Sequence, residues 1–106
     1  MKWTTVCQID RILPNTGVCA LVDGQQVAIF RVGESEVYAI DNYDPFSKAF
    51  VLSRGIVGDR NGIPKVASPI YKQNFNLITG QCFDDETVSI NTYAVQVINN
   101  TIQIGT

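Results

Sequence analysis

The chain reads Asp41-Asn42-Tyr43-Asp44-Pro45-Phe46 at residues 41–46 and Ala67-Ser68-Pro69-Ile70-Tyr71 at residues 67–71, two short segments that each contain a proline. The second is followed by Phe75-Asn76-Leu77-Ile78-Thr79-Gly80-Gln81-Cys82. The first comes directly after Val37-Tyr38-Ala39-Ile40, an apolar run typical of a β-strand. We therefore predict two loops, at about residues 41–53 and 67–75, near one end of a β-sheet, where loops commonly carry function.

Short apolar runs separated by turn residues make up the rest of the chain. Trp3–Ile9 alternates between two faces, and no stretch sustains a helical period over three turns. The dipeptides Asp23-Gly24, Asn61-Gly62 and Asn99-Asn100 each separate two such runs and favour tight hairpins. The flanking strands are predicted at Val18–Val22 and Gln26–Val32, Gly55–Gly58 and Ile63–Ala67, and Tyr93–Ile98 and Thr101–Ile104. The sequence thus predicts an all-β fold, with one short helical turn around Ser47–Ser53.

Length and composition limit the classes of protein to which the chain can belong. Its 106 residues, 45% hydrophobic and 17% charged, suit one domain, residues 1–106, with its own core. The net charge of −2 gives no attraction to a phosphate backbone, which argues against nucleic acid as a partner. The N-terminus lacks the apolar run of a signal peptide, and no stretch is apolar enough to span a membrane. Three scattered cysteines then indicate reduced, buried thiols and a cytoplasmic location.

The two loops, together with the run Phe75-x-Leu77-x-Thr79-Gly80, resemble those of the Rieske iron–sulfur domains. In that family one loop reads Cys-Pro-His, the other reads Cys-Pro-x-His, and a short strand ending in Thr-Gly closes the second loop. The resemblance implies a Rieske-like fold of stacked antiparallel sheets that keeps both cluster-binding loops. The four positions of the cluster ligands are taken here by Asp44, Phe46, Ser68 and Tyr71.

The side chains at these four positions argue against an iron–sulfur cluster. A Rieske centre requires two thiolates and two neutral imidazoles, and an all-thiolate cluster requires four cysteines. The chain has no histidine and only three cysteines, Cys7, Cys19 and Cys82. The acidic run Asp84-Asp85-Glu86 lacks the spacing of a calcium loop, and we expect its carboxylates to point into water. We therefore expect no cofactor and no metal in this chain.

A closer resemblance covers essentially the whole chain. The runs that carry it are Ile12-Leu13-Pro14-x-Thr16-Gly17-Val18-Cys19-Ala20-Leu21, Gln26-Val27-Ala28-Ile29-Phe30-Arg31, Asp44-Pro45-Phe46, Val51-Leu52-Ser53-Arg54-Gly55 and Val66-Ala67-Ser68-Pro69. They look like the small subunits of the assimilatory, cytoplasmic NAD(P)H-dependent nitrite reductases. The resemblance implies a large subunit as partner, carrying FAD, an iron–sulfur cluster and sirohaem, which reduces nitrite to ammonium with electrons from NADH. This chain would then be a non-catalytic subunit of the enzyme, acting through contacts.

The aromatic rings at the two imidazole positions have two interpretations. Phe46 and Tyr71 could fill the space of a cluster, or they could stand outward as a docking face. On the second interpretation the residues that bind the large subunit are Tyr43, Phe46, Phe50, Ile70, Tyr71 and Lys72. Half of the eight basic residues lie on or beside the loops, namely Lys48, Arg54, Lys65 and Lys72. They could form a positive collar that steers an acidic partner, or an ordinary solvated surface.

Other function classes have weaker support in the sequence. Without histidine, no Ser–His or Cys–His pair can form, and Ser68 has no evident base. Asp41 and Asp44 fit turn residues that bond local amides better than they fit an acid–base pair. Two alternatives remain: a redox carrier of the Rieske ferredoxin type, and a free-standing binding module. The second predicts a solvent-open apolar cavity between Phe46 and Tyr71.

Overall fold

The computed structural model describes all residues from Met1 to Thr106 and consists of three antiparallel sheets. A six-stranded sheet has the order β1-β11-β10-β4-β3-β2, a two-stranded sheet pairs β5 with β6, and a three-stranded sheet has the order β7-β8-β9. The strands are β1 (Trp3–Gln8), β2 (Thr16–Val22), β3 (Gln25–Val32), β4 (Glu36–Asp41), β5 (Tyr43–Asp44), β6 (Ala49–Phe50), β7 (Ile56–Arg60), β8 (Ile63–Ala67), β9 (Asn74–Asn76), β10 (Thr92–Ile98) and β11 (Thr101–Gly105). The prediction of an all-β fold of antiparallel sheets is confirmed.

The three predicted hairpins are present, and local backbone chemistry explains them. Asp23-Gly24 joins β2 to β3, Asn61-Gly62 joins β7 to β8, and Asn99-Asn100 joins β10 to β11. All six of these residues have φ between 49° and 85°. Positive φ at both central residues is the requirement of the turn that matches the twist of a two-residue hairpin, and Asn, Asp and Gly adopt it most readily.

β3 separates two hydrophobic cores, and four of its consecutive residues are fully buried. Val27 and Ile29 face the first core, inside the curl of the six-stranded sheet, whereas Ala28 and Phe30 face the second core. The first core also contains Ile12, Val22, Ala39, Ile102 and Ile104, and the second contains Ile40, Leu52, Val66, Phe75, Leu77 and Cys82. Because the second core includes residues on and next to the two loops, it is the base on which they are held.

The helical turn expected around Ser47–Ser53 is wrong in position. Lys48 has φ of 58°, a left-handed conformation that cannot continue a right-handed helix, and its N–H donates to the Asp44 carbonyl at 2.7 Å. The chain reverses there, and β6 returns to pair with β5. A 3-10 turn instead occupies Leu52–Arg54, and the other 3-10 turn of the chain lies at Ile9–Arg11. No helix in the structure is long and apolar enough to cross a membrane.

The three cysteines differ in exposure. All are free thiols; Cys82 is fully buried and Cys7 is half-buried, but Cys19 is exposed. The expectation of a buried thiol is therefore wrong for Cys19, because β2 lies at the edge of its sheet and leaves the side chain open to solvent. Partial desolvation raises the pKa of the Cys7 and Cys19 thiols, so both are predominantly protonated at neutral pH.

Candidate functional site at the two loops

Asn42 joins the beginning and the end of the first loop. Its side chain is 2% exposed; Nδ2 donates to Gln26 Oε1 at 3.0 Å, and Oδ1 accepts the Ser53 N–H at 2.7 Å. The backbone repeats this connection, because the Leu52 N–H donates to the Asn42 carbonyl at 3.1 Å. The loop is therefore closed at its base by one amide side chain.

Asp41 ties the same region to β10. Tyr93 Oη donates to Asp41 Oδ1 at 2.7 Å, and the Asn91 N–H donates to Oδ2 at 3.2 Å. Burial raises the pKa of Tyr93, the bond to the Asp41 carboxylate adds to the shift, and the pKa reaches about 12. Asp41 is thus a structural acceptor, but the prediction that it bonds local amides is wrong, because both of its donors come from the distant segment Asn91–Tyr93.

The second loop is a tight reversal stabilised by its own backbone. The Ser68 N–H donates to the Gln73 carbonyl at 2.9 Å, and the Lys72 N–H donates to the Ser68 carbonyl at 3.2 Å. Lys72 has φ of 66°, which turns the chain into β9, where Phe75 pairs with Val66 of β8. The hairpin of β7 and β8 brings this loop against the first one.

The two loops meet through Asp44 and Ser68, both of which are fully buried. Ser68 Oγ donates to Asp44 Oδ2 at 2.5 Å, and Ser47 Oγ donates to the same oxygen at 2.8 Å. Asp44 Oδ1 accepts the Phe46 N–H at 2.9 Å and the Ser47 N–H at 3.5 Å. We call Asp44, Ser47 and Ser68 the loop latch. It joins the two positions at which the resemblance to the Rieske family places cysteines.

The loop latch supports a buried negative charge. Burial of the carboxylate acts to raise the pKa of Asp44, but the hydrogen bonds from Ser68, Ser47 and the backbone outweigh it and hold the pKa below its ordinary value. A buried carboxylate without partners would instead be strongly unfavourable. Asp44 is therefore ionised at neutral pH and is an internal acceptor, not a base open to a substrate.

The two aromatic replacements occupy different environments. Phe46 is half-buried and packs on the second core, with its ring centroid 6.1 Å from that of Phe75 and the ring planes inclined by 51°. Tyr71, in contrast, is 60% exposed. The alternatives left open by the sequence thus divide between the residues: Phe46 fills interior space, and Tyr71 faces solvent.

Exposed apolar side chains lie on both loops, and together we call them the loop-tip surface. Its members are Tyr43, Phe50, Ile70 and Tyr71, with exposed fractions between 37% and 60%. The rings of Tyr43 and Phe50 contact each other on paired strands, with centroids 5.1 Å apart. Exposed apolar patches are candidate docking sites, so these side chains stay candidates for partner binding.

The basic residues near the loops, for which the sequence left open a positive collar or an ordinary solvated surface, differ in their environments. Lys48, Arg54 and Lys72 are exposed. Lys65 instead donates to Asn74 Oδ1 at 2.5 Å between β8 and β9. Neither of the two ion pairs in the structure, Lys2–Asp23 and Arg31–Glu34, involves a residue of the collar. Lys48 and Lys72, on the two loops, and Arg54, just after the first loop, therefore have no ion-pair partner within the chain.

The residues at the four ligand positions do not fit a [2Fe-2S] cluster. Asp44 and Ser68 bond each other, Phe46 offers no donor atom, and Tyr71 faces solvent. No group of three or more metal-ligating side chains occurs in the structure. A ligand cavity between Phe46 and Tyr71 is also missing, because neither residue lines any of the three clefts.

Sequence reasoning missed the roles of Asn42, Ser47 and the acidic run. Asp84 is exposed, as expected, and in addition its Oδ2 accepts the Asn74 N–H at 2.7 Å, which fixes the end of the second loop. Asp85 accepts the Thr87 hydroxyl and N–H at 2.6 and 3.0 Å. The spacing Asp85-x-Thr87 is a local signal that could have indicated this turn. Nothing local marks Asn42 or Asp84, whose partners are distant in the chain.

Comparison with known proteins identifies the class of protein that this fold and site define. The sequence model of the Rieske-like [2Fe-2S] domain matches residues 2–105. The NMR structure of the Escherichia coli protein NirD is 47% identical, covers 97% of this chain and 94% of its own, and gives a TM-score of 0.90. The molecule is accordingly a Rieske-like domain in which hydrogen-bonded and aromatic side chains stand at the ligand positions.

Curated relatives identify the particular family. The nitrite reductase (NADH) small subunit of Salmonella typhimurium is 49% identical over 104 residues, which are 97% of this chain and 96% of that protein. The chain belongs to the family of nitrite reductase (NADH) small subunits. A Klebsiella oxytoca protein named nitrite reductase [NAD(P)H] large subunit is 40% identical over 103 residues, which are 97% of this chain but 11% of that protein. Both resemblances inferred from the sequence are confirmed.

Proposed function

We propose that this chain is the non-catalytic small subunit of a cytoplasmic, NAD(P)H-dependent nitrite reductase. The observation that carries the proposal is the 49% identity to the Salmonella small subunit over nearly the full length of both chains. The Klebsiella relative supports association with a large subunit, because a polypeptide named for that subunit contains a segment similar to almost all of this chain. Fusion of the two parts keeps them permanently in one molecule.

The electron transfer is assigned to the large subunit. FAD, an iron–sulfur cluster and sirohaem in that subunit would take electrons from NADH and reduce nitrite to ammonium. The donor atoms of this chain support the division, since its four ligand positions provide neither a thiolate nor an imidazole. Its own contribution is to bind the large subunit and to support that subunit's stability, geometry or gating.

The loop-tip surface is the proposed contact with the large subunit. Tyr43, Phe50, Ile70 and Tyr71 provide exposed apolar area, and aromatic anchors of this kind commonly dominate the free energy of binding. Phe46 supports the surface from beneath through its packing on Phe75. The loop latch holds the two loops together before binding, which lowers the entropy lost when they dock.

The charges around the contact favour an acidic partner surface. Lys48, Arg54 and Lys72 are exposed and have no ion-pair partner in this chain. On a chain with a net charge of −2, these cations on or beside the two loops would create a local positive field. Such a field accelerates encounter with a negative surface and is screened by salt. We therefore expect the association rate to fall as ionic strength rises.

The proposal is tested by affinity capture with this chain as bait, from cells of its source organism grown on nitrite. We expect one large protein, identified by mass spectrometry as the nitrite reductase large subunit, with the absorption of flavin and sirohaem and with NADH-dependent nitrite reduction. A bait with the loop-tip double variant Phe50→Ser, Tyr71→Ser serves as the matched control. Failure to recover that protein, at bait levels at which a reference complex survives, would contradict the proposal.

A further inference from the structure

The six-stranded sheet is not closed into a barrel. Its two edge strands, β1 and β2, lie at opposite ends of the strand order, and no strand pairing joins them. None of the backbone hydrogen bonds outside the strands joins them either. One edge of each strand therefore faces a cleft, which we call the seam. The backbone N–H and C=O groups along these two edges are unpaired, and an extended segment could form hydrogen bonds with them.

The seam opens onto the first core. Its cleft has a volume of about 800 Å³ and is lined by Val6, Cys7, Gln8, Arg11, Ile12, Val18, Cys19 and Ala20. Ile12 is fully buried, whereas Val6, Val18 and Ala20 pack on the core but remain partly exposed. Apolar side chains of both β1 and β2 are thus left partly exposed along the seam.

Apart from one shift of register in β1, the two edges lack the usual protection against pairing. Trp3–Gln8 and Thr16–Val22 contain neither a charged residue nor a proline, although natural edge strands commonly carry one or the other. The only irregularity is a shift of register in β1 between Thr5 and Cys7. Arg11 is the one charged side chain that lines the seam, and it forms no ion pair.

Both ends of the described chain lie at one end of the seam. The backbones of Lys2 and Thr106 bond each other at 2.8 and 2.9 Å. Lys2 Nζ and Thr106 Oγ both donate to Asp23, at 3.1 and 2.7 Å, and Asp23 lies in the turn after β2. In the Klebsiella relative, the rest of the polypeptide continues from one or the other end of the similar segment, and hence from beside the seam.

We propose that the seam binds an extended segment of the large subunit, which adds a strand between β1 and β2 and closes the sheet. This inference rests on the proposed function. The segment has apolar side chains at alternate positions, facing Val6, Val18 and Ala20, and a carboxylate at Arg11. A second copy of this chain is a poorer occupant, because a strand already paired in a sheet brings its neighbours with it and does not enter a cleft.

The test uses the intact chain and overlapping synthetic peptides from the large subunit, each roughly ten residues long, the upper length of an ordinary strand. Fluorescence anisotropy should identify one peptide that binds, and Arg11→Glu should weaken its binding about tenfold. Lys72→Glu, at the loop-tip surface, should leave peptide binding unchanged. In the full complex, hydrogen exchange should slow at the amides of β1 and β2 that face the seam.

The outcomes distinguish the seam from the loop-tip surface. The proposal for the seam is overturned if no peptide binds and the complex forms at full affinity with unchanged hydrogen exchange in β1 and β2. The proposed function would then still stand. If hydrogen exchange in β1 and β2 slows when the concentration of this chain is raised without the large subunit, a second copy of the chain occupies the seam. That result also overturns the proposal. Absence of any complex with the large subunit overturns both the seam and the proposed function.

Discussion

At the scale of single residues, a hydrogen-bonded carboxylate joins the loops at positions to which the resemblance to the Rieske family assigns cluster ligands. Asp44 accepts four hydrogen bonds within its own loop and from Ser68, so its buried charge is compensated. The sequence indicated that Asp44 would bond local amides, and this was confirmed. It did not indicate Ser68 as the partner, because that bond spans 24 residues and depends on the packing of both loops.

Loss of the Ser68 hydroxyl should lower the stability of the fold. Ser68→Ala leaves the Asp44 carboxylate with one fewer donor inside the protein, and we expect the free energy of unfolding to fall by about 1–3 kcal/mol. Urea denaturation followed by circular dichroism measures the change. Ser35→Ala, in an exposed turn, is the matched control and should have almost no effect. Equal stability of the two variants would contradict the role of the loop latch.

The loop latch should also weaken in acid. Because the pKa of Asp44 is lower in the folded state than in the unfolded chain, its ionised form stabilises the fold at pH values above the unfolded pKa. That contribution is lost as pH falls from the ordinary value, about 3.9, through the lower folded value. The difference in unfolding free energy between the natural chain and Asp44→Asn should therefore shrink below about pH 4. A difference that stays constant down to pH 2 would argue against an ionised Asp44.

At the scale of elements, hairpins were predictable and the connections within the loops were not. Asp23-Gly24 and Asn61-Gly62 define their turns by local backbone preference, so the sequence alone was sufficient. Lys48, in contrast, adopts a positive φ that lysine seldom favours, and the expected helical turn failed there. Asn42 was missed for a different reason, since its partners Gln26 and Ser53 come from other parts of the chain.

Gly80 should be far less tolerant of a side chain than Gly24. Both have positive φ, at 81° and 77°, so alanine is strained at either position. At Gly80 the added Cβ would also lie 2.1 Å from the Ile90 carbonyl oxygen, whereas at Gly24 it would meet open space. We expect Gly24→Ala to cost about 1 kcal/mol and Gly80→Ala clearly more, as measured by thermal and urea unfolding. Similar losses at both sites would show that the turn ending at Gly80 relaxes without cost.

At the scale of the whole molecule, the chain combines a rigid frame with an apolar surface at the loops. β3 serves two cores at once, and Phe46 packs against the second core whereas Tyr71 is exposed. The sequence predicted the missing ligands, because composition alone excludes the Rieske donor set. It could not decide between inward and outward rings, since a phenylalanine and a tyrosine after a proline fit either arrangement.

The most direct test of the account is the dissociation constant between this chain and the purified large subunit. The double variant Phe50→Ser, Tyr71→Ser removes two exposed anchors, and we expect binding about thirtyfold weaker, corresponding to roughly 2 kcal/mol. Ile98→Ser is the matched control: its side chain is 51% exposed against 55% for Phe50, and it lies on β10, outside both loops. The account predicts an unchanged constant for this control. Full affinity of the folded double variant would contradict docking through the loop-tip surface.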